Sequence, residues 1–148
     1  MAKKSTLKID IDTTTRRSQC PMSYALDIFG DKWTLLVLRD LIMFKKTTFQ
    51  ELKNSAEGIA TNILSDRLRK LEAFEIITRE PDPDDGRRIH YRVTGRGADL
   101  VPALLEIGAW GARNDIHSTF PQENLDALAN DRDGVIAQFK AGIGKGKK

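Results

Sequence analysis

The chain has 148 residues, 40% of them hydrophobic and 30% charged, and carries a formal net charge of +3. These values are typical of one globular domain. No apolar run is long enough to cross a bilayer, and the N-terminus lacks the apolar stretch of a secretory signal. We therefore expect a cytoplasmic protein without membrane association. The single cysteine excludes an internal disulfide, and one cysteine with two histidines argues against a zinc site, so neither a metal nor a cofactor is expected.

Residues 1–19 hold five Lys or Arg against two acids and are predicted to form a flexible basic arm. This arm either adds contacts to nucleic-acid phosphates or is an ordinary disordered tail. Residues 20–115 hold fourteen basic residues against fifteen acidic ones, and we assign them to one folded domain. Because this domain is nearly neutral, its bulk charge does not indicate a polyanionic partner, and only local clusters of Arg and Lys can do so.

The domain is predicted to open with two helices. The first spans Pro21 to Phe29 and is closed by Gly30, in agreement with the preference for Pro at helix starts and Gly at helix ends. Asp31 is a suitable N-cap for a second helix over Lys32 to Met43. This second helix is apolar on nearly every side and is therefore expected to be central.

A helix-turn-helix pattern follows. Thr48 and Glu51 have the spacing of a capping box, which predicts a short helix that includes Leu52. A turn containing Gly58 separates it from a second helix predicted over Thr61 to Phe74. In this second helix the apolar stripe is formed by leucines at 64, 68 and 71, which leaves the opposite face polar.

Two strands are predicted next, over Ile76 to Glu80 and Ile89 to Val93, joined by a loop rich in Pro and Asp that ends in Gly86-Arg87-Arg88. Two helices followed by a hairpin with a basic end are typical of a winged helix-turn-helix, which reads duplex DNA. The predicted fold is therefore mainly α with a small β-hairpin.

The remaining chain is predicted to be helical. Thr94 to Gly97 makes a turn, and Ala98 to Asn114 forms a long helix whose apolar stripe is wider than one small domain needs, which indicates a partner helix. Residues 116–148 are assigned to a C-terminal extension and a disordered basic tail. Within this extension the helical pattern over Gln122 to Lys140 is interrupted near Asp133-Gly134.

The polar face of the helix over Thr61 to Phe74 is the predicted DNA-reading surface. Asn62 suits adenine and Arg69 suits guanine or a phosphate, while Arg67 suits a phosphate or an ion pair with Asp66 or Glu72. The alternative is an amphipathic surface helix with solvated charges. The predicted DNA-contacting residues, including two arginines of the hairpin, are Thr61, Asn62, Ser65, Asp66, Arg67, Arg69, Lys70, Arg87 and Arg88.

Arg87 and Arg88 follow the hairpin turn and suit an adjacent minor groove, whose narrow form concentrates negative potential. The three preceding aspartates would be repelled by a DNA backbone. Asp85 can instead hold Arg87 in position, which would be a structural role for both residues.

Cys20 lies directly before the predicted first helix, where free N–H groups and the helix dipole stabilise a thiolate. Thiolates react with oxidants and electrophiles, so Cys20 is a candidate redox sensor; the alternative is an inert residue at a subunit contact. With one cysteine per chain, any such switch would be intermolecular or an adduct. Neither histidine has an evident route to Cys20, and no nucleophile elbow or phosphate loop is present, so no catalytic residue is assigned and an enzyme is not expected.

The aromatic side chains allow two interpretations. They form an ordinary core, or they line a pocket for a small-molecule effector between the DNA-binding elements and the helix that is expected to pack on a partner. The first interpretation is favoured. The residues concerned are Phe29, Trp33, Phe44, Phe49, Phe74 and Trp110.

Several motifs over residues 20–112 stand in the order seen in one family. They are Cys20-Pro21, Gly30-Asp31-Lys32-Trp33, Leu38-Arg39-Asp40-Leu41, Leu64-Ser65-Asp66-Arg67-Leu68 and Tyr91-Arg92-Val93-Thr94 with Gly97. The chain thus resembles the HxlR-type transcriptional regulators, which are related to the MarR type. The resemblance implies a homodimer built from the terminal helices, Pro21 to Phe29 and Ala98 to Asn114. Some members of the family use a cysteine at the position of Cys20 as a redox or electrophile sensor, which agrees with the first of the two roles considered for it. These families often begin the recognition helix with Ser-Pro, whereas Ala60-Thr61 stands here, so we expect the cap at Thr61.

The first hypothesis is a dimeric winged-helix repressor that binds double-stranded DNA at a pseudo-palindromic operator and responds to an oxidant or a small-molecule effector. The alternative is a winged-helix protein-interaction module without DNA binding. The nearly neutral domain and the acidic residues beside the hairpin motivate this alternative.

Overall fold

The structure is a computed structural model that describes residues 16–143. Most of the predicted arm and the last five residues of the predicted tail lie outside this range. The described chain is mainly helical with one two-stranded antiparallel sheet, as predicted. Its elements, in chain order, are α1 Pro21–Phe29, α2 Thr34–Ile42, α3 Phe49–Lys53, α4 Thr61–Ala73, β1 Ile77–Pro81, β2 Ile89–Val93, α5 Gly95–Ala98, α6 Val101–Asn114, α7 Gln122–Asn130 and α8 Arg132–Ala141.

Helix α2 is the centre of the domain, as its apolar sequence predicts. Six of its nine residues are buried, and Leu38 is fully inaccessible. The helix begins at Thr34, two residues later than predicted. The Asp31 carboxylate accepts hydrogen bonds from the backbone N–H groups of Trp33 and Thr34, at 2.9 and 3.0 Å, so the two residues after Asp31 form a turn that leads into the helix.

The helix-turn-helix is formed by α3 and α4. The predicted capping box is present: the Thr48 hydroxyl accepts from the Glu51 N–H, and the Glu51 carboxylate accepts from the Thr48 N–H. The expectation that Thr61 caps α4 is wrong. Ala60 has extended backbone angles and its carbonyl already accepts from the N–H of Leu64 at 2.9 Å, so Ala60 is the N-cap and Thr61 is the first helical residue.

The two strands form the hairpin that the sequence predicts, with β1 displaced by one residue. Ile77 pairs with Val93 at one end of the ladder and Pro81 with Ile89 at the other. A third segment joins β2 from the helix-turn-helix side. The Tyr91 N–H donates to the Thr47 carbonyl at 2.7 Å, and this brings the residues that lead into α3 alongside the hairpin.

The helices after the hairpin differ from the prediction in their boundaries. Thr94 caps the short helix α5 where a simple turn was expected, and α6 therefore begins at Val101 instead of Ala98. The predicted interruption of the C-terminal helix lies at Asp131, not at residues 133 and 134. The Asp131 carboxylate accepts from the Gly134 N–H and caps α8, which places that glycine inside the first turn.

One core joins these elements. The buried side chains come from α1, α2, α3, α4, both strands and α6, and α8 packs against α6 with Ile136 and Phe139 half-buried against the core. The C-terminal extension is therefore folded onto the domain through residue 143. Among residues 16–143 no helix has both the length and the apolar character needed to span a bilayer.

Gly97 gives a test of this packing. An added Cβ would lie 2.5 Å from the Ile76 carbonyl oxygen and 2.6 Å from Val93 Cγ1. Gly97→Ala should therefore lower the free energy of unfolding by about 1–3 kcal/mol through overpacking. Gly95→Ala is the matched control, since its Cβ would meet nothing within 4 Å; it should be neutral or slightly stabilising. Urea unfolding followed by circular dichroism distinguishes them, and equal stabilities would contradict the packing described here.

Candidate nucleic-acid interface

The polar face of α4 is exposed, as its sequence predicts. Leu64, Leu68 and Leu71 are buried at 0%, 3% and 0% exposure and hold the helix against α2, α3 and β1. The opposite face is therefore turned to solvent. Within residues 16–143 its exposed side chains without a hydrogen-bond or ion-pair partner include Thr61, Asn62, Ser65 and Arg69.

Three other predicted DNA-contacting residues of α4 have partners inside the protein. Lys70 Nζ donates to the Asp27 carbonyl of α1 at 2.9 Å. Arg67 pairs with Asp66 at 3.2 Å, one of the two roles predicted for it. Its Nε also lies 3.1 Å from Asp31, at ion-pair distance although poorly aligned for a hydrogen bond. These contacts anchor α4 to α1 and to the turn before α2.

Asp31 is thus shared between the start of α2 and the side of α4. Partial burial by itself would raise the pKa of Asp31. Hydrogen bonds from the Thr34 hydroxyl and from the backbone of Trp33 and Thr34, together with the charge of Arg67, hold its pKa below the usual value. The carboxylate is therefore ionised at neutral pH and available to both elements.

The hairpin loop over residues 82–88 is ordered by its own aspartates. Asp82 accepts from the N–H groups of Asp84 and Asp85 at 2.8 and 3.1 Å, and the Asp85 side chain accepts from the Arg87 N–H at 3.1 Å. Asp85 thus positions Arg87 through its backbone, which is the structural role considered for it. The side chains of Arg87 and Arg88 are exposed and have no partner within residues 16–143.

One contact between the loop and the helix-turn-helix was not evident from the sequence. His90 Nε2 lies 2.7 Å from the Asp82 carboxylate and Nδ1 lies 2.9 Å from the Thr47 hydroxyl. The hydrogen bond from His90, aided by the backbone of Asp84 and Asp85, lowers the pKa of Asp82 to about 2. Hairpin register could have indicated the Asp82 contact, whereas the Thr47 contact joins residues 43 positions apart and leaves no local signal.

A second contact that the sequence did not reveal surrounds Asp40 on α2, which is only 2% exposed. Its carboxylate accepts from Arg39 at 2.7 and 2.9 Å, from Lys46 at 3.1 Å and from the Ser55 hydroxyl. A charge inside an apolar helix was the available signal, since buried charges are normally paired.

The same network fixes the turn between α3 and α4. Arg39 also makes a bidentate pair with Glu57, at 2.6 and 3.0 Å. This hydrogen bonding lowers the pKa of Glu57 to about 2. Beside it Gly58 adopts a left-handed backbone with φ +70°, and Ile59 is buried. The direction in which the chain enters α4 is therefore set by ion pairs to α2 as well as by apolar packing.

Cys20 lies where the sequence predicts, at the N-cap of α1 directly before Pro21. The thiol is free and exposed, and the Cys20 carbonyl accepts from the Tyr24 N–H at 3.1 Å. The side chain is therefore accessible to a soluble oxidant in this chain.

The six aromatic residues do not line one pocket. Phe29 and Phe74 border a cleft of about 210 Å³ between α1 and the start of α6, whereas Trp110 and Phe44 are more than half exposed elsewhere. The other two, Trp33 and Phe49, pack against the core, as do Phe29 and Phe74. Among residues 16–143 no group of His, Cys, Asp or Glu is arranged to hold a metal ion.

Residues 28–118 match a family profile described as HxlR-like helix-turn-helix. The HTH-type transcriptional regulator sll1512 of Synechocystis sp. is 36% identical over 93 residues, which cover 63% of this chain and 68% of that protein. The redox regulator HypR in its oxidized form has a TM-score of 0.59 and 30% identity over 65% of this chain and 98% of that one. The reduced form of the transcriptional regulator YodB from B. subtilis has a TM-score of 0.54 and 26% identity, over 68% and 99% of the two chains.

The Asp40 network yields a stability prediction. Asp40→Ala would leave Arg39 and Lys46, each about one quarter exposed, without their shared carboxylate. The free energy of unfolding should fall by about 3 kcal/mol, as for other broken buried ion pairs. Glu106→Ala is the control, because it breaks a pair with Arg132 that is half exposed; its cost should stay below about 1 kcal/mol. Similar urea midpoints for the two variants would show that the network does not stabilise the fold.

Proposed function

Because the chain belongs to the HxlR-like helix-turn-helix family, whose members are transcriptional regulators and not enzymes, we propose that it binds double-stranded DNA as a homodimer and acts as a repressor. The observation that carries this proposal is the exposed polar face of α4, which three buried leucines turn away from the core. A helix that presents unpartnered Asn, Ser and Arg side chains suits the major groove.

Each element of the interface has a distinct role in this proposal. Asn62 pairs with adenine and Arg69 with guanine or a phosphate, which gives sequence discrimination. Thr61 and Ser65 add hydroxyl contacts at the N-terminal end of the helix. Arg87 and Arg88 bind phosphates or the adjacent minor groove without reading sequence. Contacts by Asp66, Arg67 or Lys70 would have to compete with their partners inside the protein.

The proposed dimer rests on exposed apolar side chains of two helices. Met22 and Leu26 of α1 are 70% and 53% exposed, and Ile107 and Trp110 of α6 are 56% and 64% exposed. Side chains of this size are normally covered when several occur on neighbouring elements. In the proposed dimer a second copy of the chain covers them. To read a two-fold symmetric operator, this dimer would need its two α4 helices about one DNA turn, roughly 34 Å, apart.

The proposed signal is oxidation or alkylation of Cys20. Its support is the exposed thiol at the start of α1 and the similarity to HypR, which is described as a redox regulator. Two Cys20 thiols on paired subunits would lose two protons and two electrons to an oxidant and form one intersubunit disulfide. Alternatively, each Cys20 and a small thiol would together lose two protons and two electrons to the oxidant and form a mixed disulfide, or an electrophile would bond to each Cys20 thiolate and give an adduct without an oxidant. Each of these products lies on a helix of the proposed dimer contact.

DNA binding is tested with a duplex selected by the protein from a random library and with a random duplex of equal length. Arg69→Ala should weaken binding to the selected duplex by roughly 10–100-fold and change random binding little. Arg88→Ala should weaken both and lower the slope of log affinity against log salt by about 1. The measurement is fluorescence anisotropy over a salt series.

The control for these variants is Arg132→Ala, which removes the same charge from α8, outside the interface. Two chains should bind per selected duplex. Equal losses on both duplexes from both interface variants would overturn the assigned roles. If the wild-type protein binds no DNA at low salt, DNA binding is refuted and the protein-interaction module is favoured.

Cys20 is tested by oxidant treatment of the whole chain. Diamide should change the affinity of the wild type for the selected duplex and produce a covalent dimer on a non-reducing gel, both reversed by dithiothreitol. Cys20→Ser should bind the duplex as reduced wild type does, with or without diamide. An unchanged wild-type affinity after complete thiol modification, confirmed by mass spectrometry, would exclude a sensing role.

A further inference from the structure

His90 occupies a position between the two DNA-facing elements. On one side its Nε2 lies 2.7 Å from Oδ2 of Asp82, which begins the loop carrying Arg87 and Arg88. On the other side its Nδ1 lies 2.9 Å from the hydroxyl of Thr47, which leads into α3. The side chains of His90 and Asp82 are each 19% exposed, so both groups are partly shielded from water.

Both ends of this bridge are fixed by further hydrogen bonds. Asp82 holds the backbone of the loop through the N–H groups of Asp84 and Asp85. The N–H groups of Thr47 and Thr48 donate to the Glu51 carboxylate of the α3 capping box at 2.7 and 3.0 Å. The contacts therefore run without a gap from the hairpin loop through His90 to the start of the helix-turn-helix.

The bridge can form in either protonation state of the imidazole. The Asp82 carboxylate, with its pKa of about 2, remains an acceptor and fixes the Nε2 proton. When the ring is neutral, Nδ1 accepts from the Thr47 hydroxyl; when the ring is charged, Nδ1 donates to the same oxygen. Glu51 interacts electrostatically with His90, and next to His90 on the hairpin Glu80 and Arg92 form a cross-strand pair whose atoms lie 2.8 Å apart.

We propose that His90 is a positioning residue for DNA binding: by joining Asp82 to Thr47 it fixes the hairpin loop relative to α3 and α4. This inference rests on the proposed function for its effect on DNA, but not for its effect on the loop. The hairpin has only two strands, and the half of it that lies between Tyr91 and the loop has no buried side chain. His90 therefore supplies the side-chain contact that sets the angle at which Arg87 and Arg88 stand beside the recognition helix.

The loop itself is tested without DNA by limited trypsin digestion. Arg87 and Arg88 are exposed cleavage sites in the loop, and cleavage of a folded protein follows local opening. His90→Leu, which removes both bonds, should accelerate cleavage after these residues by roughly five- to tenfold. Glu80→Gln is the matched control, because it breaks a cross-strand pair of the same hairpin that does not reach α3; its cleavage rate should stay within about twofold of wild type.

Two conservative variants separate the halves of the bridge. The amide of Gln reaches the position of Nε2, so His90→Gln should keep the Asp82 bond and lose the Thr47 bond. The amide of Asn reaches the position of Nδ1, so His90→Asn should do the reverse. Thr47→Val should then accelerate cleavage further in the Asn background and leave the Gln background unchanged. The same response in both backgrounds would overturn the assignment of the two bonds.

The effect on DNA is tested by combining His90→Leu with Arg88→Ala on the selected duplex. If His90 positions the loop, Arg88→Ala should cost at least threefold less affinity in the Leu background than in wild type, while urea midpoints show both proteins folded. The proposal would be overturned if Arg88→Ala cost the same affinity in both backgrounds, or if trypsin cleaved His90→Leu at the wild-type rate. If wild type binds no DNA, the proposed function fails, and the cleavage rates alone decide whether His90 fixes the loop.

Discussion

The burial of one leucine stripe on α4 determines most of what this surface can do. Leu64, Leu68 and Leu71 occupy a single side of a helix that packs against α2, α3 and β1. Because a helix presents its residues at fixed angles, the other side must face solvent once those three are buried. The ion pair of Arg67 with Asp31 and the bond from Lys70 to α1 add polar contacts in the same orientation. An apolar constraint thus creates a polar surface of defined orientation.

The charges of the domain show why counting them is a poor guide to function. The acids are largely engaged inside the protein: Asp40 and Glu57 fix the turn before α4, while Asp82 orders the hairpin loop. These pairings leave exposed arginines on α4 and at the loop without partners in the described chain, although the domain is nearly neutral. Local electrostatics here depends on which charges are already satisfied, and the sum of the charges does not reveal it.

The C-terminal helices α7 and α8 lie outside the region that matches the family, and they limit how a second subunit can approach. Helix α8 packs against α6, and Arg132 pairs with Glu106 at 3.0 Å. One side of α6 is therefore covered by its own chain, while Ile107 and Trp110 remain exposed. A partner subunit that used α6 would have to approach from the uncovered side, so the extension restricts the geometry of any dimer.

The order of helices, turn and hairpin and the buried face of α4 could be predicted from the sequence, because apolar periodicity, the capping box and turn residues are local signals. Those signals misplaced the starts of α2 and α6, the cap of α4 and the break before α8, where a hydrogen bond within a few residues decided the boundary. In contrast, the contacts by which His90 joins Asp82 to Thr47 and Arg39 joins Asp40 to Glu57 became evident only in the folded chain. These bonds link residues up to 43 positions apart, and their geometry exists only after the apolar core has brought the elements together.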